Sequence, residues 1–134
     1  MGAIEVTLEG IGRCRIEHSD SGHVIHTATA IEYGGVGGTF SSTDLVAAAL
    51  GSCIATNIDR VLQRAGIALD SVRIRVTKSL SNNPKRLARL AVTIMMQQAV
   101  DSSLETKLRR AAESCVVHRS LHDDIEVSLD VTAA

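Results

Sequence analysis

Residues 41–66 read SSTDLVAAALGSCIATNIDRVLQRAG, and the reading of this stretch decides the fold. Ser41 stands three residues before Asp44, the spacing of an N-terminal capping pair, directly ahead of an apolar run. Gly66 is a natural stop, because helices commonly end on a glycine that adopts the left-handed conformation. Between these signals Leu50, Ile54, Ile58 and Leu62 share one stripe, while Leu45 to Leu50 is apolar on every side. Such a helix is buried in a core or in a subunit interface. Its second half turns amphipathic, with Asp59, Arg60, Gln63 and Arg64 facing solvent. The apolar run from Leu45 to Ala55 is interrupted by Gly51, Ser52 and Cys53. A membrane span needs about 20 apolar residues, so the pattern predicts a core helix and no membrane partner.

Upstream of this helix, Ile4, Val6 and Leu8 alternate with Glu5, Thr7 and Glu9, the period of a half-buried strand. Residues 13–17 resume the alternation, and residues 23–31 (HVIHTATAI) predict a third strand. The loop 33–39 (YGGVGGT) has four glycines but neither the spacing nor the lysine of a phosphate-cradling loop. Downstream, Val72, Ile74 and Val76 alternate with polar residues, and Ser81 to Lys85 is turn chemistry around the only proline. Leu90, Val92, Ile94 and Met96 form the return strand of a hairpin. Asp101 or Ser102 caps a second helix, on which Leu104, Leu108, Ala111 and Cys115 make a buried stripe. Residues 125–131 alternate as a final strand. The order is βββ-α-ββ-α-β, an α+β fold with mainly antiparallel sheet. One helix too apolar to be covered by so few strands predicts a homodimer.

Composition narrows the function. The 134 residues fit a single domain, 1–134, able to bury about two thirds of its unfolded surface. Apolar residues at 45% and charged residues at 22% exclude a disordered chain. A net charge of −1, with Tyr33 and Phe40 as the only aromatics besides histidine, gives no footprint for nucleic acid. The N-terminal sequence has no basic segment followed by an apolar one, and three cysteines are an odd number; both point to a reducing, cytoplasmic setting.

Cysteine is most often a small buried hydrophobe, which is the plain reading for Cys14, Cys53 and Cys115. Cys115, His118 and His122 are spaced i, i+3 and i+7 and would share one face of a continuing helix, a zinc-like triplet. A helix that ends there instead leaves the histidines exposed at its negative pole. No fourth ligand and no cofactor motif accompany them, so neither metal nor cofactor is expected.

Residues 42–53 (STDLVAAALGSC) resemble the helix start of the OsmC/Ohr proteins, and residues 112–121 (AESCVVHRSL) resemble that family's second cysteine motif. The resemblance covers nearly the whole chain. It implies an OsmC-like fold, sheets wrapped around two long helices in an intertwined homodimer, with Cys53 and Cys115 near the dimer interface. It further implies a thiol-dependent peroxidase for organic hydroperoxides: Cys53 attacks and becomes a sulfenic acid, Cys115 condenses with it to a disulfide, and a dithiol reduces the pair. On this reading Cys115 sits near a helix C-terminus, where the dipole disfavours a thiolate, and Cys53 sits mid-helix and needs a nearby cation. The peroxidase branch has a glutamate ten residues before the first cysteine and an arginine in the preceding loop. Here Thr43 occupies the first position, with Asp44 next to it, and residues 33–42 contain no arginine. Arg13, Arg15 and Arg119 remain as candidate cations. The alternative is an OsmC-like dimer that binds a small apolar ligand, its cysteines serving as packing.

Overall fold

A computed structural model describes residues 2–133. The chain divides into two compact units, residues 1–45 and 46–134.

In the first unit, strands β1 (Ile4–Gly10), β2 (Arg13–His18) and β3 (Val24–Ala28) form an antiparallel sheet in that order. Residues directly opposite across an antiparallel pair share a face. Leu8 faces Cys14, Val6 faces Ile16 and Ile16 faces Ile25, so one side of the sheet is apolar. On that side Ile4, Val6 and Leu8 are 62, 61 and 74% exposed. The third strand is shorter than the sequence predicts, because the Ala30 carbonyl accepts from both Tyr33 and Gly35 N–H and curls the chain into one 3-10 turn. Gly35 then lies so tightly on the Thr29 carbonyl that no Cβ would fit. The glycine loop returns to the sheet, where Ala28 N–H donates to Phe40 O. Tyr33 and Phe40 are both exposed.

The capping pair forms as the spacing requires. Ser41 N–H donates to Asp44 Oδ2 at 2.9 Å and Asp44 N–H donates to Ser41 Oγ at 3.1 Å, opening helix α1 (Ser42–Arg64). Gly66, with φ of 72°, closes it. By length and composition α1 could cross a membrane, but its stripe of Leu50, Ile54, Ile58 and Leu62 is the centre of a protein core.

That core belongs to the second unit. Strands β4 (Arg73–Ser81), β5 (Arg86–Met95) and β6 (Glu126–Thr132) form a sheet with β5 in the middle. The register sets Ile74 opposite Ile94 and Val76 opposite Val92 on one side of β5, and Val127 opposite Leu90 and Leu129 opposite Val92 on the other. One face is therefore continuous aliphatic surface, and Leu90, Val92 and Ile94 are fully buried by what packs on it. Gly51 lets α1 approach the sheet closely: a Cβ there would stand 3.1 Å from Val76 Cγ2. The β4–β5 hairpin is antiparallel, as its turn demands, but β6 joins β5 in parallel. A parallel neighbour needs a long crossover, and helices α2 (Ser102–Glu113) and α3 (Val116–Ser120) supply it. Asp101 caps α2, accepting from Leu104 N–H at 2.8 Å.

The second helix departs from expectation. The stripe through Leu104, Leu108, Ala111 and Cys115 assumes an unbroken helix, but α2 ends at Glu113 and Leu108 and Ala112 are its buried residues. Cys115 is buried as the cap of a new helix.

Burial this complete makes the core intolerant of lost volume. Ile58→Ala should cost about 2–5 kcal/mol of unfolding free energy in a denaturant titration. Gln63→Ala, on the exposed side of the same helix, should change it by less than about 0.5 kcal/mol.

Candidate functional site

Cys53 lies midway along α1, off the fully buried stripe and half-exposed. Cys115 is entirely buried at the junction of α2 and α3. Both cysteines are free thiols, and the fold brings them close enough for the Cys115 thiol, acting as a hydrogen-bond donor toward Cys53, to lower the Cys53 pKa. Cys14 belongs to the other unit, half-buried on β2 opposite Leu8 and Thr27.

The break at residue 115 creates the site. Cys115 has an extended backbone (φ −60°, ψ 129°), and its Sγ accepts from His118 N–H at 3.4 Å, the geometry of an N-cap. The chain then enters α3, and the first N–H groups of a helix have no carbonyl of their own helix to bond. Two of them, on Val116 and Val117, help to lower the Cys53 pKa. Cys115 therefore lies directly past the C-terminus of α2, as the sequence reading has it, and at the same time caps the start of α3, which that reading did not foresee.

These contacts drive the two thiols apart. The Cys115 thiol, the Val117 and then the Val116 amide hold the Cys53 pKa below its ordinary value against the opposing effect of burial. Burial pushes Cys115 up, and donating its proton toward Cys53 adds to the rise, beyond what the His118 and Val117 amides offset. The low-pKa sulfur is therefore the accessible one. Hydrogen-bond donors lower its pKa, the Cys115 thiol most of all. Arg15 pairs with Glu17 at 2.9 Å within its own sheet. Asp44, beside the position of the family's glutamate, holds the Ser41 amide as a cap.

The zinc-like spacing does not close into a cluster. The helix stops before residue 115, and His122 Nδ1 accepts from Asp124 N–H at 3.0 Å. Among the described residues no group of three or more His, Cys, Asp or Glu could hold a metal ion. The sequence reading missed the amides of Val116, Val117 and His118, and also Asn57, whose Nδ2 donates to Ala111 O at 3.1 Å and Ser114 Oγ at 3.4 Å. Backbone donors leave no residue-type signature; Ser114, a residue type that favours helix ends, was the one available cue.

The OsmC-like protein family model matches residues 35–130, most of the chain and both cysteine segments. The chain belongs to the OsmC-like family. Among solved structures, a Psychrobacter arcticus protein described as an osmotic stress induced and detoxification response protein aligns with a TM-score of 0.90 at 29% identity, covering 98% of this chain and 96% of its own. The organic hydroperoxide resistance protein OsmC of Legionella pneumophila aligns at 0.78 and 22% identity, covering 97% and 96%. A Vibrio cholerae organic hydroperoxide resistance protein, with captopril in one of its active sites, aligns at 0.75 and 17%, covering 96% and 90%; these last two show a shared fold. No curated protein matches the sequence.

The hydrogen-bonded pair makes a prediction about pH. A thiolate, not a thiol, is alkylated, so a lowered pKa moves the rise in rate to lower pH. Cys53 should react with iodoacetamide before Cys115, with its midpoint below that of a free cysteine peptide. Cys115→Ala removes a donor and should move the Cys53 midpoint to higher pH, whereas Cys115→Ser keeps a hydroxyl donor and should move it less. Peptide mass spectrometry across a pH series reads both.

Proposed function

We propose that the protein is a two-cysteine, thiol-dependent peroxidase that reduces organic hydroperoxides. What carries this reading is the closeness of a half-exposed Cys53, its pKa lowered by the Cys115 thiol, to a fully buried Cys115, its pKa raised by burial. The solved OsmC-like structures described as organic hydroperoxide resistance proteins support the substrate class. The Cys53 thiolate attacks the terminal oxygen of ROOH; the O–O bond breaks, the alcohol ROH leaves with a proton, and Cys53 becomes a sulfenic acid. The Cys115 thiol then attacks that sulfur, a disulfide forms and water leaves. A dithiol, small molecule or protein, restores both thiols by exchange and is itself oxidised to a disulfide. Burial keeps Cys115 protonated while Cys53 attacks, so the first step falls to one residue. With Thr43 and an arginine-free loop in place of the family's glutamate and arginine, turnover should be slower than in a relative that keeps both.

We further propose that the working form is a cytoplasmic homodimer, in which a second copy of the chain covers the apolar face of the β1–β2–β3 sheet. Ile4, Val6, Leu8 and Ile25 are all exposed on that face, and contiguous exposed apolar side chains of this kind mark interaction surfaces. Sedimentation should show a dimer at micromolar concentration, and Leu8→Asp should shift it toward monomer. A stable wild-type monomer would sink the proposal.

Thiol titration tests the chemistry. One equivalent of cumene hydroperoxide should remove two thiols per chain and release cumyl alcohol. Cys53→Ser should abolish consumption, and Cys115→Ser should permit one turnover and trap a sulfenic acid on Cys53. Oxidation at Cys115 with Cys53 untouched would reverse the roles. No loss of thiols in the wild type would overturn the peroxidase reading.

A further inference from the structure

The structure assigns Asn57 as the positioning residue of the thiol pair: its side-chain amide holds open the break between α2 and α3 that sets Cys115 and the Val116 and Val117 amides against Cys53. The inference rests on the two-cysteine reading above and adds to it the residue that maintains the geometry.

The argument begins with one carbonyl. In an unbroken α-helix the Cys115 N–H would bond the Ala111 carbonyl, four residues back. Here Cys115 N–H goes to Ala112 O instead, at 3.2 Å, and Ala111 O is released. A part-buried carbonyl without a donor is costly. Two donors take the vacated place: Asn57 Nδ2 at 3.1 Å and Ser114 Oγ at 2.9 Å. Asn57 Nδ2 also reaches Ser114 Oγ at 3.4 Å, so the three groups form a small closed network. Asn57 is four residues beyond Cys53 on α1, which places the two side chains on the same side of that helix. The residue that satisfies the break and the sulfur that benefits from it therefore share one rigid support.

Removing the amide changes which backbone conformation is preferred. With no donor from α1, Ala111 O regains a reason to accept Cys115 N–H, and the α2 helix gains by running on. Cys115 would then lose its extended conformation, and the Val116 and Val117 N–H groups would turn to helical carbonyls. With Ser114 Oγ still on Ala111 O, Cys53 would lose part of its hydrogen-bond support through one substitution that touches neither cysteine.

Asn57→Leu, nearly isosteric and without a donor, tests this directly. The readout is the pH profile of Cys53 alkylation by iodoacetamide in the folded protein, with folding checked by circular dichroism. The Cys53 rate at neutral pH should fall about three- to tenfold, the range one net hydrogen bond provides, and its midpoint should move to higher pH. Ser114→Ala, at an exposed position, should move the profile the same way by less. A residue that only stabilised the fold would shift the unfolding midpoint and leave the alkylation profile in place. A folded Asn57→Leu whose profile superimposes on wild type overturns the inference; if that variant does not fold, an unchanged profile in Ser114→Ala overturns it. Because no peroxide is used, a shifted profile in a protein that consumes no hydroperoxide would sink the peroxidase reading and leave the positioning role standing.

Discussion

A hydrogen bond between two thiols forces them to be unlike, since one must keep its proton for the other to accept it. In this chain the assignment is settled by solvent: Cys115 is entirely buried and Cys53 is half-exposed. The rest of the second unit can be read as what is needed to hold that contact. The donor sulfur itself accepts from the His118 amide, so it is oriented from one side and donates to the other. Val116 and Val117 add N–H groups that need no counter-charge and carry no rotamer entropy. Oriented backbone dipoles thus perform a task that a cationic side chain could perform at greater conformational cost.

Placing these groups requires two rigid bodies in a fixed register. The aliphatic stripe of α1 sits on the β4–β5–β6 sheet, and Gly51 sets how close it comes. The crossover that makes β6 parallel to β5 carries α2 and α3 back over the same core, with Leu108 and Ala112 buried there. Arg109 ties that crossover to the sheet by donating to Leu129 O at 2.7 Å. The cysteines are consequently held by packing and by backbone geometry more than by any contact of their own.

Side-chain periodicity exposed most of this architecture in advance. The period of α1, its Ser41–Asp44 cap, the alternation of five of the six strands and the Asp101 cap are all written in residue types, and the structure has each of them. The two cysteines were also recognisable, through the motifs around residues 42–53 and 112–121. What residue types could not convey was the break at 114–115. No glycine or proline marks it, and the apolar spacing of Leu104, Leu108, Ala111 and Cys115 runs straight through it as if the helix continued. The decisive donor, Asn57, comes from fifty-four residues earlier in the chain, and a local reading has no access to a partner at that separation. The same holds for the direction of β6, which alternation leaves undetermined. The C-terminus of α2 beside Cys115 was legible, and the second helix that begins at the same residue was not.

The exposed position of Tyr33 and Phe40 has a consequence for observing this molecule. With no tryptophan, these two side chains are its only conventional near-ultraviolet chromophores, and both lie in the first unit. The aliphatic core around Cys53 and Cys115 is optically dark. Tyrosine fluorescence will follow the glycine loop and its surroundings. Methyl groups are the natural reporters there: Ile54, Leu90, Val92 and Leu108 crowd the core from both helices and the central strand. A change of state at the sulfurs would be visible in those methyl resonances.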